Sequence, residues 1–124
     1  SLQSIFHQDD LGKMNFLARK GMRLMDRAVK KSPNHLGARL LRGLSYANMP
    51  EFLNRASFAV TDLNLLKQYA SDDKEFKQLI NYHLAMAYSK NNQIKQAHTL
   101  WQQVAQIKNT TWTTKAQARL KETD

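Results

Sequence analysis

The amino-acid sequence predicts an all-α protein, and three observations support that class. Apolar residues recur every three or four positions along most of the 124-residue chain, which is the spacing of helices with one buried side. No segment alternates apolar and polar residues as a half-buried strand does. Turn-forming and capping residues interrupt the helical pattern at 32–34, 49–51, 71–73, 91–92 and 109–111. We therefore expect one domain over residues 1–124, built from about five to six helices.

The first predicted helix starts after Asp9 or Asp10, either of which can cap it, and continues to the break at 32–34. The side of this helix that lies opposite its apolar stripe is basic and carries Arg19, Arg23, Arg27 and Lys30. The pattern predicts an amphipathic helix whose basic side faces water. Its apolar stripe consists of Leu11, Met14, Ala18, Met22, Met25 and Val29.

Five further helices are expected between these breaks. The second, from about Leu36 to Asn48, is apolar on several sides and is expected to lie between neighbouring helices. The third is expected from about Glu51 to Ala70, because a proline is well tolerated in a first helical turn. The others are expected at Lys74 to Lys90, after the capping residues 71–73, at Gln93 to about Lys108, and at about 113–122.

Two central segments repeat with a period of about 40 residues. Gly43-x-x-Tyr46 in the first segment corresponds to Ala85-x-x-Tyr88 in the second, and each is followed by an Ala, at 56 and at 97. Small residues let two helix backbones approach closely, and the large residues beside them fill the remaining space. Such a period predicts stacked helical hairpins that bury their apolar faces against one another.

The second of these segments resembles a tetratricopeptide repeat. Leu84-Ala85-x-x-Tyr88, then Ala97 and then Trp101, match the family's Leu-Gly/Ala-x-x-Tyr…Ala…Phe pattern over about residues 78–111. The resemblance implies a right-handed α-solenoid of antiparallel helical hairpins, with units at about 36–70 and 74–108 and a C-terminal capping helix at about 113–122. It also implies a non-catalytic scaffold that binds a protein or a peptide.

The N-terminal half carries further parts of the pattern. The first helix is similar to the second half of another unit, because residues 21, 25, 28 and 33 fall at the family's small, aromatic, Ala and Pro positions. The middle unit departs from the pattern, since 49–54 lengthens its turn and Arg42 replaces the usual Leu. Residues 13–66 are also similar to a group of uncharacterised bacterial proteins, through Leu24, Ala28-Val29, Pro33, Arg39-x-x-Arg42-Gly43 and Pro50-x-Phe52-Leu53.

Composition and charge limit the possible functions. The chain has no Cys, which excludes disulfides, thiolate metal sites and a Cys nucleophile. Its net charge is +9, and between Lys13 and Arg42 nine basic residues stand against one acid, Asp26. This excess favours a polyanionic partner such as nucleic acid, lipid headgroups or an acidic protein.

The sequence leaves the compartment open. No uncharged apolar run approaches the roughly 20 residues that a bilayer span needs. Because the chain opens at Ser1 and not at a Met, we expect that it was trimmed from a longer gene product. An export signal or a preceding helix could have been removed, so bacterial cytoplasm and periplasm or envelope both remain open.

No catalytic, cofactor or metal site is predicted. Asp72, Asp73 and Glu75 are close in sequence, but they stand where a helix N-terminus favours negative charge. The sequence therefore predicts a protein that is not an enzyme and needs no cofactor. Metal-ligand spacing is also absent from the histidines, which are His7, His35, His83 and His98.

Two binding surfaces are predicted instead. The family's concave groove is mostly apolar here and suits an amphipathic helix or a short apolar peptide; its positions fall on Leu40, Leu44, Tyr82, Met86 and Lys90. The alternative is the basic side of the first helix, as a patch for nucleic acid or an anionic membrane. Simple solvation of that basic side, burial of the groove residues by a neighbouring helix, and self-association into a homo-oligomer stay open at this point.

Overall fold

The computed structural model describes residues 8–70 and 72–123, and this part of the chain is helical with no strand. The all-α prediction is confirmed for these residues, and the predicted bounds of the fourth helix are those observed. The elements are α1 Gln8–Lys31, α2 Leu36–Ala47, a short 3-10 helix Glu51–Leu53, α3 Ala56–Tyr69, α4 Lys74–Lys90, α5 Ile94–Gln106 and α6 Thr111–Thr123.

Side chains at the helix ends explain several of these bounds. The carboxylate of Asp73 accepts a hydrogen bond from the N–H of Phe76 at 3.1 Å, which is the predicted capping role. His35 caps α2 in the same way, because its Nδ1 accepts from the N–H three residues later at 3.0 Å. Glu75 Oε1 accepts from the N–H of Thr111 at 2.7 Å, so that it ties the start of α6 to α4.

The predicted third helix is wrong at its start. Glu51–Leu53 form a separate 3-10 turn, Asn54 adopts a left-handed backbone with φ of 57°, and α3 begins only at Ala56. A residue in this conformation cannot continue a right-handed helix, and Asn adopts it more readily than most side chains do. After the break Arg55 reaches α1, where its Nη1 lies 3.4 Å from Asp26 Oδ2.

Each helix packs against the next one along the chain, and α4 also contacts α2 and α6. The approach of α3 to α2 is close at Gly43, where a Cβ would lie 2.9 Å from Leu63 Cδ2. In the second repeated segment Ala85, Ala97 and Trp101 all belong to the buried core. Small residues therefore line the places where the helices come together.

The first half of α1 lies outside this core. Every residue from 11 to 20 is exposed, whereas Met22 and Val29 in the second half are buried. The predicted apolar stripe therefore packs on the protein only from Met22 onward. In this first half of α1, the large apolar side chains that remain exposed to solvent are Leu11, Met14, Phe16 and Leu17.

Candidate functional site

The predicted groove positions on α4 are covered from within the chain. Tyr82 and Met86 are only 6% and 7% exposed. The ring of Tyr82 lies 5.2 Å from that of Trp112 on α6, and its hydroxyl accepts a hydrogen bond from Arg119 Nε at 2.9 Å. A partner that used Tyr82 would have to displace α6.

Lys90 caps the end of α2. Its Nζ donates to the carbonyl oxygens of Ala47 at 2.7 Å and Met49 at 2.8 Å. Carbonyls at and just beyond a helix C-terminus lack helical partners, so the ammonium group satisfies them. Burial lowers the pKa of Lys90, and the nearby charge of Arg119 lowers it further. This amine is therefore held between helices and is not presented to a ligand.

The two remaining groove positions lie on α2. Leu40 and Leu44 are half-buried and pack against the core. Together the five positions follow α2 and α4, which are in contact. Their side chains serve contacts between the helices more than an open surface.

The basic side of α1 is open to solvent. All four predicted residues, Arg19, Arg23, Arg27 and Lys30, are exposed. In the part of the chain described, none of them forms an ion pair with an acidic side chain. Like charges at successive helical turns repel one another, and an anionic group would relieve that repulsion.

An apolar surface lies on another side of α1, where it meets α2. Leu24 and Leu41 are 52% and 61% exposed. On α1 the exposed Leu17 and Met14 continue the same side for about three more turns. The pocket between the helices has a volume of about 380 Å³ and is lined by Leu24, Met25, Ala28, His35, Gly37, Ala38 and Leu41. We call this surface, formed by Met14, Leu17, Leu24, Ala28 and Leu41, the α1–α2 apolar surface.

A buried ion cluster joins α2 to α3. Asp62 is fully buried, and its carboxylate accepts from Arg42 Nε at 2.7 Å and from Arg42 Nη2 at 2.9 Å. Arg39 Nη1 donates to the same carboxylate at 2.7 Å. Two-point pairing satisfies charges that would be very unfavourable alone in the core, and the hydrogen bond from Arg42 raises the pKa of that guanidinium. Arg42, which departs from the repeat pattern, is thus a paired core residue.

Asp26 extends the ion cluster to α1. Its Oδ1 accepts from the Tyr46 hydroxyl at 2.7 Å and from Arg42 Nη1 at 3.3 Å. Its Oδ2 accepts from Arg55 Nη1 at 3.4 Å. Burial, and then the hydrogen bond to Asp26, raises the pKa of Tyr46 above its ordinary value. The carboxylate oxygens are occupied by guanidinium and hydroxyl groups, an arrangement suited to holding three helices in place.

His83 is half-buried beside α6. Its Nδ1 lies 2.8 Å from the carbonyl oxygen of Leu79, and its ring packs edge-on against Tyr82 and Trp112. Burial lowers the pKa of His83, and positive charges on α6 lower it further. Among the described residues, no group of three His, Cys, Asp or Glu side chains could hold a metal ion.

The fold and these surfaces define an all-helical protein whose first helix presents one apolar and one basic side to solvent. Comparison of the chain with protein-family models, with curated proteins and with solved structures finds no match in any of the three. None of the helices described combines the length and the apolar character that crossing a bilayer requires.

Proposed function

We propose that the protein is a non-catalytic scaffold of the tetratricopeptide-like class, a right-handed stack of helical hairpins that binds a helix of another protein. The contacts between successive helices, the contacts of α4 with α2 and α6, and the close approach at Gly43 support this architecture. In it α2 with α3 and α4 with α5 form two units, and α6 caps the array. α1 then corresponds to the second helix of a further unit.

The α1–α2 apolar surface carries the proposal. Leu24 and Leu41, more than half exposed where α1 meets α2, border a pocket with mostly apolar walls. A continuous exposed apolar surface of this kind is typical of a protein interaction site. An amphipathic helix fits it best, because such a helix presents apolar side chains at the matching spacing of three or four residues.

The charge around this surface selects an acidic partner. At 100° per residue, Lys13, Lys20 and Lys31 border the apolar residues along one edge of α1. Acidic residues flanking the apolar stripe of the partner helix would pair with these lysines and favour the correct orientation. A second copy of this chain fits less well, because each copy has a net charge of +9.

Fluorescence anisotropy with two labelled model peptides tests the proposal. One peptide is an amphipathic helix of about five turns with a leucine stripe flanked by glutamates, and the other has lysines at the flanking positions. We expect the glutamate peptide to bind saturably and at least about tenfold more tightly than the lysine peptide. Equal binding of the two peptides would contradict the proposal.

Matched variants locate the binding surface. Leu24→Gln and Leu41→Gln remove apolar area from it, whereas Ile94→Gln removes a comparably exposed apolar side chain on α5. The first two should each weaken the glutamate peptide by roughly fivefold, because part of a leucine side chain is no longer buried, and the third should leave binding unchanged. Equal effects of all three, or a dimer in sedimentation equilibrium that Leu24→Gln dissociates, would refute the proposal.

A second candidate is binding of nucleic acid or an anionic membrane along the basic side of α1. The exposure of Arg19, Arg23, Arg27 and Lys30 without acidic partners in the described chain favours it. Such binding weakens steeply with salt, because counterions are released from the polyanion. An oligonucleotide or anionic vesicle that binds strongly at low salt, and is lost when three arginines are changed to Glu, would favour this function over the helix-binding one.

A further inference from the structure

A second pocket lies on the other side of α1, where the helix faces the connection between α2 and α3. It has a volume of about 460 Å³ and is separate from the α1–α2 apolar surface. Three arginines and three apolar side chains form its walls: Arg19, Met22, Arg23, Phe52, Leu53 and Arg55. The left-handed turn at Asn54 brings two segments of the wall together, because it ends the 3-10 helix that carries Phe52 and precedes Arg55.

The arginines of this pocket carry positive charge that the protein only partly balances. Arg19 and Arg23 stand one helical turn apart and have no acidic partner in the part of the chain described. Arg55 reaches Asp26 only at 3.4 Å, and Asp26 is shared with Arg42. The neighbouring ion cluster offers no further compensation, because both oxygens of Asp62 already accept from other arginines. An anion with more than one charge would balance the group better than a single carboxylate.

The remaining walls are apolar. Phe52 is 77% exposed at the edge of the pocket, although a phenylalanine side chain in solvent is unfavourable. Of the other two apolar side chains that line the pocket, Met22 is buried and Leu53 is half-buried. A ligand with an aromatic ring or an alkyl chain next to its anionic group would cover Phe52 while the guanidinium groups hold the anion.

We infer that this pocket binds a phosphate monoester, with the phosphate between Arg19, Arg23 and Arg55 and the organic group on Phe52. A phosphate monoester carries about −1.5 to −2 charges near pH 7 and offers three acceptor oxygens. Guanidinium groups match phosphate oxygens in pairs, which favours arginine over lysine at such a site. The inference does not depend on the helix-binding function, because it uses a different side of α1.

Titration of the whole chain with phenyl phosphate, followed by NMR chemical shifts or calorimetry, tests this site. Inorganic phosphate and benzoate are the comparison ligands, since one lacks the ring and the other lacks the second charge. We expect saturable binding of phenyl phosphate, at least about fivefold tighter than either comparison ligand. Vesicles of phosphatidic acid, which is also a phosphate monoester, show whether a lipid headgroup can be the source of the ligand; vesicles of phosphatidylglycerol, a diester, are their control.

Variants with matched controls show whether the named residues form the site. Arg23→Gln should weaken phenyl phosphate about tenfold, because a charge-assisted hydrogen bond is lost, and Phe52→Ala about fivefold. Arg27→Gln removes a charge from the same helix outside the pocket, and Phe16→Ala removes another exposed ring. Both controls should bind as the unchanged protein does, and all four substitutions are at exposed positions, so thermal unfolding should be little changed.

Several results would overturn the inference. Absence of saturable binding to both phenyl phosphate and phosphatidic acid vesicles would remove the site. Equal losses in Arg23→Gln and Arg27→Gln would assign the binding to the general positive charge of α1. Benzoate binding as tight as that of phenyl phosphate would assign the pocket to carboxylates. Vesicle binding that is lost in Arg23→Gln and Phe52→Ala, and kept in the two controls, would support the site with a lipid headgroup as the source.

Discussion

Replacing Asp62 with Ala tests whether the buried ion cluster holds the first three helices together. The substitution takes from Arg42 and Arg39 the carboxylate to which both donate. Arg42 keeps Asp26 at 3.3 Å, and Arg39 keeps the carbonyl oxygen of Pro33 at 2.8 Å. Removing one partner of a buried ion pair costs about 3–5 kcal/mol. Because each arginine keeps one acceptor, we expect the free energy of unfolding to fall by about 3 kcal/mol, at the lower end of that range.

Urea denaturation followed by circular dichroism measures this loss. With a urea dependence of about 1–2 kcal/mol per molar for a domain of this size, the midpoint should fall by roughly 2 M. Asp72→Ala is the control, because Asp72 is exposed in the connection before α4, and its effect should stay within about 0.5 kcal/mol. A loss below about 1 kcal/mol for Asp62→Ala would refute the reasoning, because the arginines would then be solvated or paired elsewhere at little cost.

A double-mutant cycle separates pairing from burial. Arg42→Met combined with Asp62→Leu removes both charges and leaves apolar side chains of similar size. Replacing a buried ion pair in this way is often neutral, so the double variant should be more stable than Asp62→Ala alone. A double variant that lost as much as the sum of its two single variants would show that the two side chains contribute independently.

Three further perturbations test the packing and the buried titratable groups. Gly43→Ala should lower the free energy of unfolding by about 1–2 kcal/mol, because the new Cβ would lie 2.9 Å from a side-chain carbon of Leu63. Gly21→Ala is the control: a Cβ there would have nothing within 4 Å, so the better helix former should raise the free energy of unfolding by roughly 0.5–1 kcal/mol. Thermal unfolding that ranked the two variants the other way would contradict the close approach at Gly43. Lowering the pH from about 7.5 to about 5.5 should reduce the free energy of unfolding. Burial holds the pKa of His83 below its ordinary 6.5, so the unfolded chain takes up the proton first as the pH falls. If His83→Gln left the dependence of stability on pH unchanged, this assignment would be refuted. Lys90→Met should cost about 1–2 kcal/mol in urea denaturation, because two carbonyls at the end of α2 lose their donor, and an unchanged midpoint would mean that water replaces the amine.

Most of the helices could be predicted because their signals are local, although α1 begins at Gln8 and so includes Asp9 and Asp10, which were expected to cap it. The bounds of α4 follow from the capping Asp73 at its start and from Asn91 and Asn92 at its end, all within a few residues of the bounds themselves. The break at Asn54 could not be predicted from local signals, because the apolar periodicity continues across it and nothing in the neighbouring residues requires a left-handed backbone. The sequence pattern therefore predicts one continuous helix where the structure has a 3-10 turn followed by α3.

The surfaces were harder to predict because they depend on contacts between distant residues. Arg42 and Asp62 are 20 positions apart, and Arg119 and Tyr82 are 37 positions apart. One signal was present: Asp62 stands among the apolar residues of its helix, and a charged residue in such a place needs a partner of opposite charge. Whether a groove residue such as Tyr82 is open or covered is decided by where α6 folds back, which no local pattern states.

The solvent-exposed first half of α1 sets a thermodynamic condition on whatever binds there. Residues 11–20 are all exposed, and a helical segment of that length is marginal in water without tertiary support. Backbone amides in these turns should exchange hydrogen with solvent far sooner than those around Asp62, through an opening that leaves the other helices folded. A ligand that docks on these turns must also keep them helical, so its measured affinity understates the strength of its contacts. Substituting Asn15 with Ala, a better helix former, should therefore tighten the binding of a ligand to these turns without adding any contact to it.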